Sequence, residues 1–133
     1  MRDRQAKNIG LAIVGAGRVG LFRGEVAARH AQVGWIGIAE KNPERAKLIA
    51  EKLNADFVTS DYRELLNRPE VNATIISTDE HLHVDPILLA AERKHSLMIE
   101  KPLATDLGDS ARVLAAIQAA GVDAVVGYTQ RFR

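Results

Sequence analysis

The sequence predicts an α/β protein: a doubly wound parallel sheet of about six strands with helices on both faces. Three observations lead there. Short apolar runs alternate with amphipathic stretches along the chain. Each run suits a strand buried on both faces, and each stretch between runs is long enough for a right-handed parallel crossover. A glycine-punctuated turn follows the first run and opens the first helical stretch. At 133 residues the chain is one domain by length.

Residues 9–14 form the first strand, and a helix follows the glycine turn to about His30. Residues 33–39 are the second buried strand. Asn42-Pro43 reads as helix cap plus first-turn proline, and behind it Ala46, Ile49, Ala50 and Leu53 make one apolar stripe. Residues 55–59 suit a short third strand. Asp61 and Glu64 have the spacing of a capping box before Leu65 and Leu66. Residues 73–77, β-branched and apolar, are the fourth strand. Val84, Ile87, Leu88 and Ala91 share a helix face, and Pro86 belongs in that helix's first turn, so the helix starts no earlier than about Leu82. Residues 96–100 are the fifth strand, stopped by Pro102. Thr105 is the expected cap of a helix with a stripe of Ala111, Leu114, Ala115 and Gln118, ended by Gly121. Residues 123–127 are the sixth strand.

Gly15-Ala16-Gly17-Arg18-Val19-Gly20 fits G-x-G-x-x-G, with a strand before it, a helix after it and Glu40 twenty residues beyond Gly20. In that context the pattern is the fingerprint of a dinucleotide-binding Rossmann unit. Gly15 allows the tight turn, Gly17 lets backbone approach a pyrophosphate, and Gly20 lets helix and strand pack closely. Bare amides and the positive end of the helix dipole then face the diphosphate. Arg18 and Val19 lie inside this turn. Glu40 is placed to accept from the adenosine ribose hydroxyls and to repel a 2′-phosphate, which favours NAD. Lys41 beside it can neutralise that phosphate in part, so NADP stays possible. The plainer alternatives are a ligand-free glycine turn and two ordinary loop charges.

Other features exclude more than they assign. A formal net charge of +1 gives no reason to expect nucleic acid or an anionic membrane. Cysteine is absent, which fits a cytoplasmic address and removes thiolate metal sites. His81 and His83 diverge on a helix and have no completing ligands, so no metal is expected. His30 and His95 fall at helix ends, where a capping role suffices. Trp35, Phe22 and Phe57 read as core or half-buried packing residues.

Ile99-Glu100-Lys101-Pro102-Leu103 ends the fifth strand on the edge where open α/β sheets bind ligands. With the glycine turn and Ser77-Thr78-Asp79-Glu80-His81-Leu82-His83, this segment resembles the Gfo/Idh/MocA family of NAD(P)-dependent oxidoreductases, over nearly the whole chain. The resemblance implies a catalytic role for Lys101, bonded to the nicotinamide ribose and to the reacting substrate oxygen. It implies that Thr78, Asp79, His81 and His83 line that ribose and that Glu100 lies at the ring end. The peptide before Pro102 is a candidate for the cis form. The family has proline where this chain has Asp79, and glycine where it has Arg93, so that helix end is expected to differ in shape.

The domain organisation follows: 1–127 as an NAD(P)-binding Rossmann domain and 128–133 as the start of a crossover to an absent substrate and oligomerisation domain. In the family that second domain carries most substrate contacts. The expected function is the cofactor half of a dehydrogenase acting on a sugar, cyclitol or related polyol, inactive without its second half. Alternatives are a stand-alone dinucleotide-binding sensor or subunit, and a folded ligand-free remnant. Apolar surface is expected around the sixth strand and Phe132, with weak homo-oligomer formation.

Overall fold

A computed structural model describes residues 8–128. In chain order it contains β1 (Ile9–Val14), α1 (Arg18–Ala28), β2 (Val33–Ala39), α2 (Pro43–Leu53), β3 (Phe57–Thr59), α3 (Tyr62–Leu66), β4 (Ala73–Ile76), a 3₁₀ turn (Glu80–Leu82), α4 (Val84–Glu92), β5 (Ser96–Ile99), α5 (Leu107–Ala120) and β6 (Ala124–Val126). The strands form one sheet in the order β3-β2-β1-β4-β5-β6, and every pairing is parallel. That is the order of a dinucleotide-binding doubly wound fold, and its direction reverses between β1 and β4. The Phe132 region lies outside the described residues.

Alternation along β1 divides the core. Leu11 and Ile13 join Ile36, Ile38, Ile49 and Leu53 beneath α1 and α2, while Ala12 and Val14 join Ile76, Ile87, Ile99 and Val113 beneath α3, α4 and α5. Both faces of β1 are covered, hence its unbroken apolar run. On the first face one row crosses the sheet as Ile38, Ile13, Ile75, Met98 and Val125. Ile38 and Ile13 are fully buried, whereas Val125 on the edge strand is 62% exposed.

Local signals fix most boundaries. Asn42 accepts from the amides of Glu44 and Arg45, with Pro43 opening α2 as expected. Pro86 is the third residue of α4, where its missing N–H leaves no bond unmade. Asp79 sits at φ −56°, a value proline would also hold, so its place in the family's proline position leaves the chain path intact.

Four expectations are corrected. Asp61 caps α3, but Glu64 accepts from the Thr59 hydroxyl at 2.8 Å instead of from the Asp61 amide, so the capping box is half formed. Asp106, not Thr105, caps α5, accepting from the Asp109 amide at 2.8 Å. The buried stripe of α5 is Val113 and Ile117, while Leu114 is half exposed. A helix with two adjacent apolar stripes does not reveal from spacing alone which one faces the sheet. Phe22 is 60% exposed, on a flank of α1 turned away from the sheet. At the end of α4, Arg93 is not left-handed; Lys94 is, at φ 63°, and its ammonium donates to the Ala120 carbonyl. Among the described residues no helix is long and apolar enough to cross a membrane.

His95 does not cap a helix. It is 3% exposed and shares a 3.0 Å hydrogen bond with the buried Thr74 hydroxyl. Burial lowers its pKa from the ordinary 6.5, with the nearby Arg93 charge adding to the effect. The folded state therefore resists protonation that the unfolded chain accepts. Its contribution to stability is complete above about pH 6.5 and declines as pH falls toward the lowered folded value. Urea melts should show lower stability at pH 5.5 than at pH 7.5, and His95→Gln should flatten that dependence; an unchanged slope in the variant would refute the assignment.

Candidate functional site

The carboxyl ends of β1, β2, β4 and β5 lie along one edge of the sheet. Backbone bonds lace them together there: Gly15 N–H to the Ala39 carbonyl, Ser77 N–H to Val14, and Glu100 N–H to Ile76, at 2.8–2.9 Å. The crevice opens between β1 and β4, where the strand order reverses.

Two of the three fingerprint glycines are demanded by the protein itself. Gly15 has φ +89°, and a Cβ there would meet the Thr78 amide nitrogen at 2.6 Å. A Cβ on Gly20 would collide with the Gly15 carbonyl and the Ser77 hydroxyl. The Ser77 Oγ donates to that same carbonyl at 2.6 Å, which binds the turn to the end of β4.

Gly17 is different. Its φ of −73° is open to any residue, and the nearest atom to an added Cβ is Arg45 Nη1 at 3.8 Å. Nothing in the fold excludes a side chain at this position. Gly17 is also the N-cap of α1 and provides no side-chain acceptor, and the first turn of the helix has no acid. Helices α2, α3 and α5 are capped by Asn42, Asp61 and Asp106. The opening amides of α1 thus face the crevice uncapped, beneath an open space. That combination attracts an anion.

A cavity of about 260 Å³ sits over this turn. Its walls are Gly15, Ala16 and Gly17 on one side, Glu40, Lys41, Asn42 and Arg45 at the end of β2 and the start of α2, and Thr78, Asp79 and Leu82 after β4. Its size is just below the roughly 300–1,000 Å³ of typical ligand pockets, which suits part of an extended ligand. Glu40 is held in place: one carboxylate oxygen accepts from the Lys41 amide at 2.8 Å and the other lies 3.5 Å from Arg45 Nη1. Tyr62 also lines the wall, and burial raises its hydroxyl above the ordinary 10.0, so it stays a neutral hydrogen-bonding group. The Thr78 hydroxyl is buried with no partner among the described residues, an arrangement that costs about 1–3 kcal/mol unless something else satisfies it. Open space over Gly17, uncapped amides, an oriented carboxylate and an orphaned hydroxyl together fit a dinucleotide's diphosphate and adenosine.

Sequence reasoning missed Arg45. Its signal was its place as third residue of a helix opened by Asn42-Pro43, which turns it back toward the glycine loop. Other expected contacts lie elsewhere. Arg18 and Val19 are exposed and do not wall the cavity; Gly20 is buried as a packing residue. His81 is exposed on the 3₁₀ turn, outside the cavity wall. His83 is fully buried, with Nδ1 2.9 Å from the Pro102 carbonyl and Nε2 3.1 Å from the Thr78 carbonyl. Both its nitrogens are occupied, which corrects the expectation that it touches a ribose. Glu100 turns toward α1, receiving a 2.7 Å bond from Arg23 Nε. Lys101 is exposed at the same edge, its side chain without a hydrogen bond or ion pair among the described residues, and the Lys101–Pro102 peptide is cis.

Residues 9–128 match the family GFO_IDH_MocA, described as an oxidoreductase family with an NAD-binding Rossmann fold. Among curated proteins the chain is 34% identical over 126 residues to 2,7-anhydro-N-acetylneuraminate hydratase of Mediterraneibacter gnavus, covering 95% of this chain and 33% of that one. It is 31% identical over 124 residues to scyllo-inositol 2-dehydrogenase (NAD(+)) of Bacillus subtilis, covering 91% and 36%. A solved levoglucosan dehydrogenase in complex with NADH and levoglucosan superposes with a TM-score of 0.83 at 27% identity, covering 93% and 36%. The chain spans about a third of the length of these relatives.

The glycines separate ligand from fold. Gly17→Val should change stability in urea melts by no more than about 1 kcal/mol, while lowering NADH affinity by calorimetry at least about tenfold, since its branched side chain would fill the space over the turn. Gly15→Ala and Gly20→Ala should each destabilise by roughly 1–3 kcal/mol. Undiminished NADH binding by Gly17→Val would show that the space above the turn serves no ligand.

Proposed function

Because the chain belongs to the Gfo/Idh/MocA oxidoreductase family, we propose that it holds NAD(H) for a dehydrogenase whose substrate is a sugar, a cyclitol or a related polyol. The observation that carries the proposal is Gly17, a position with no steric need for glycine beneath an uncapped helix end. In this reading the amides of the 15–20 turn hold the diphosphate, Glu40 receives the adenosine ribose hydroxyls, and Thr78 and Asp79 continue the wall toward the nicotinamide.

The bound nicotinamide supplies the hydride acceptor or donor. The chain's own contribution to the reaction is Lys101, which stands at the ligand edge of β5 with no side-chain partner among the described residues. An ammonium there donates a hydrogen bond to a substrate oxygen and stabilises negative charge developing on it. The substrate class rests on relatives named for scyllo-inositol and for levoglucosan, each about three times the length of this chain. The isolated chain should bind NADH without measurable polyol oxidation in a dehydrogenase assay.

Glu40 decides between the two nicotinamide cofactors. Its carboxylate is 11% exposed and fixed by the Lys41 amide, so a 2′-phosphate would meet an oriented negative charge. Lys41 and Arg45 soften that repulsion without removing it. Calorimetry should give tighter binding of NADH than of NADPH, and Glu40→Ala should erase most of the difference. Tighter binding of NADPH by the unaltered chain would overturn the assignment.

A further inference from the structure

Lys101 has no side-chain partner among the described residues, yet the residues on either side of it are tied down from opposite directions. Glu100 receives a 2.7 Å charge-assisted bond from Arg23 on α1, with both side chains less than one-fifth exposed. The Pro102 carbonyl lies 2.9 Å from His83 Nδ1 at the start of α4, and the other nitrogen of that ring reaches the Thr78 carbonyl beside the cavity. We infer that Arg23 and His83 are positioning residues which aim Lys101 at the nicotinamide end of the cleft, a role that rests on the cofactor reading above.

The geometry supports positioning in preference to mere packing. His83 is fully buried, but its polar atoms bond to the two loops that border the ligand edge and not to the core around the ring. It spans from the end of β4 to the turn after β5, so it fixes the distance between Thr78 and the Lys101 turn. Arg23 acts from the other side: from α1 it holds the Glu100 carboxylate at 2.7 Å, directly before the lysine. Holding the Glu100 side chain on one side of the lysine and the Pro102 carbonyl on the other limits where Lys101 can go without occupying its amine.

The test compares two ligands, only one of which carries the nicotinamide ribose. NADH and ADP are titrated against the 133-residue chain and against Arg23→Gln, His83→Gln and Lys101→Met, with thermal melts alongside. Lys101→Met sets the scale, because it removes the amine that reaches that ribose: NADH affinity should fall about tenfold, as for a lost charge-assisted hydrogen bond, and ADP affinity should stay within about twofold. Arg23→Gln and His83→Gln should show the same selective loss at about half that size or more, and Arg23→Lys, which keeps the charge, should recover part of it. Equal loss of both ligands in Arg23→Gln, whose site is partly exposed and tolerant of change, would make the role structural and overturn the inference. So would unchanged NADH affinity in that variant. If the unaltered chain binds neither ligand, the cofactor reading itself fails, and this proposal with it.

Discussion

The first helix can stand over the ends of β1 and β4 only because residue 20 has no side chain. There the α1 backbone rests against the Gly15 carbonyl and the Ser77 hydroxyl, with no room for even a methyl group. The Ser77 hydroxyl donates to that carbonyl and so joins the turn after β1 to the end of β4. Everything at the ligand edge is referred to this contact. It sets where the opening amides of α1 point, how far the β2 end with Glu40 lies from them, and how wide the crevice opens where the strand order reverses.

From that contact the site divides into two halves of different character. The adenosine side is walled, with its carboxylate oriented by a main-chain amide and its guanidinium, Arg45, close to the glycine loop. The side proposed for the nicotinamide is open, and Lys101 there is exposed, as its flanking residues are not. On the proposed reading, the fold orients the groups for the part of a dinucleotide remote from reaction, and leaves Lys101 at the other end with only its neighbours tied down. Such a separation lets a second body of protein complete the reactive end without disturbing how the cofactor is gripped.

Much of this was legible in the residues alone, for identifiable reasons. Strand and helix order could be read because buried parallel strands leave unbroken apolar runs such as Ile9–Val14, and because Asn42-Pro43 and Gly121 punctuate the helices in standard ways. The phosphate turn was legible because three glycines at fixed spacing have few other uses. What could not be read depended on contacts distant in sequence. His83 and Pro102 are nineteen residues apart, and Arg23 and Glu100 seventy-seven; no local pattern announces either pair. His95 looked like a helix-end cation because nothing near it in sequence reveals Thr74 beneath it. The α5 stripe failed for a subtler reason: Ala111, Leu114 and Ala115 form an apolar stripe beside the true buried pair, Val113 and Ile117, and only packing chooses between adjacent faces.

The three glycines of the turn answer to different masters, and this bears on how the sequence changes over generations. Substitutions at positions 15 and 20 are punished by misfolding in any descendant, whatever its task. A substitution at position 17 is punished only while something is bound above it. In a lineage released from that duty, position 17 would drift first, with its two companions still in place. Glycine at position 17 is what the proposed occupant requires and what the fold alone does not.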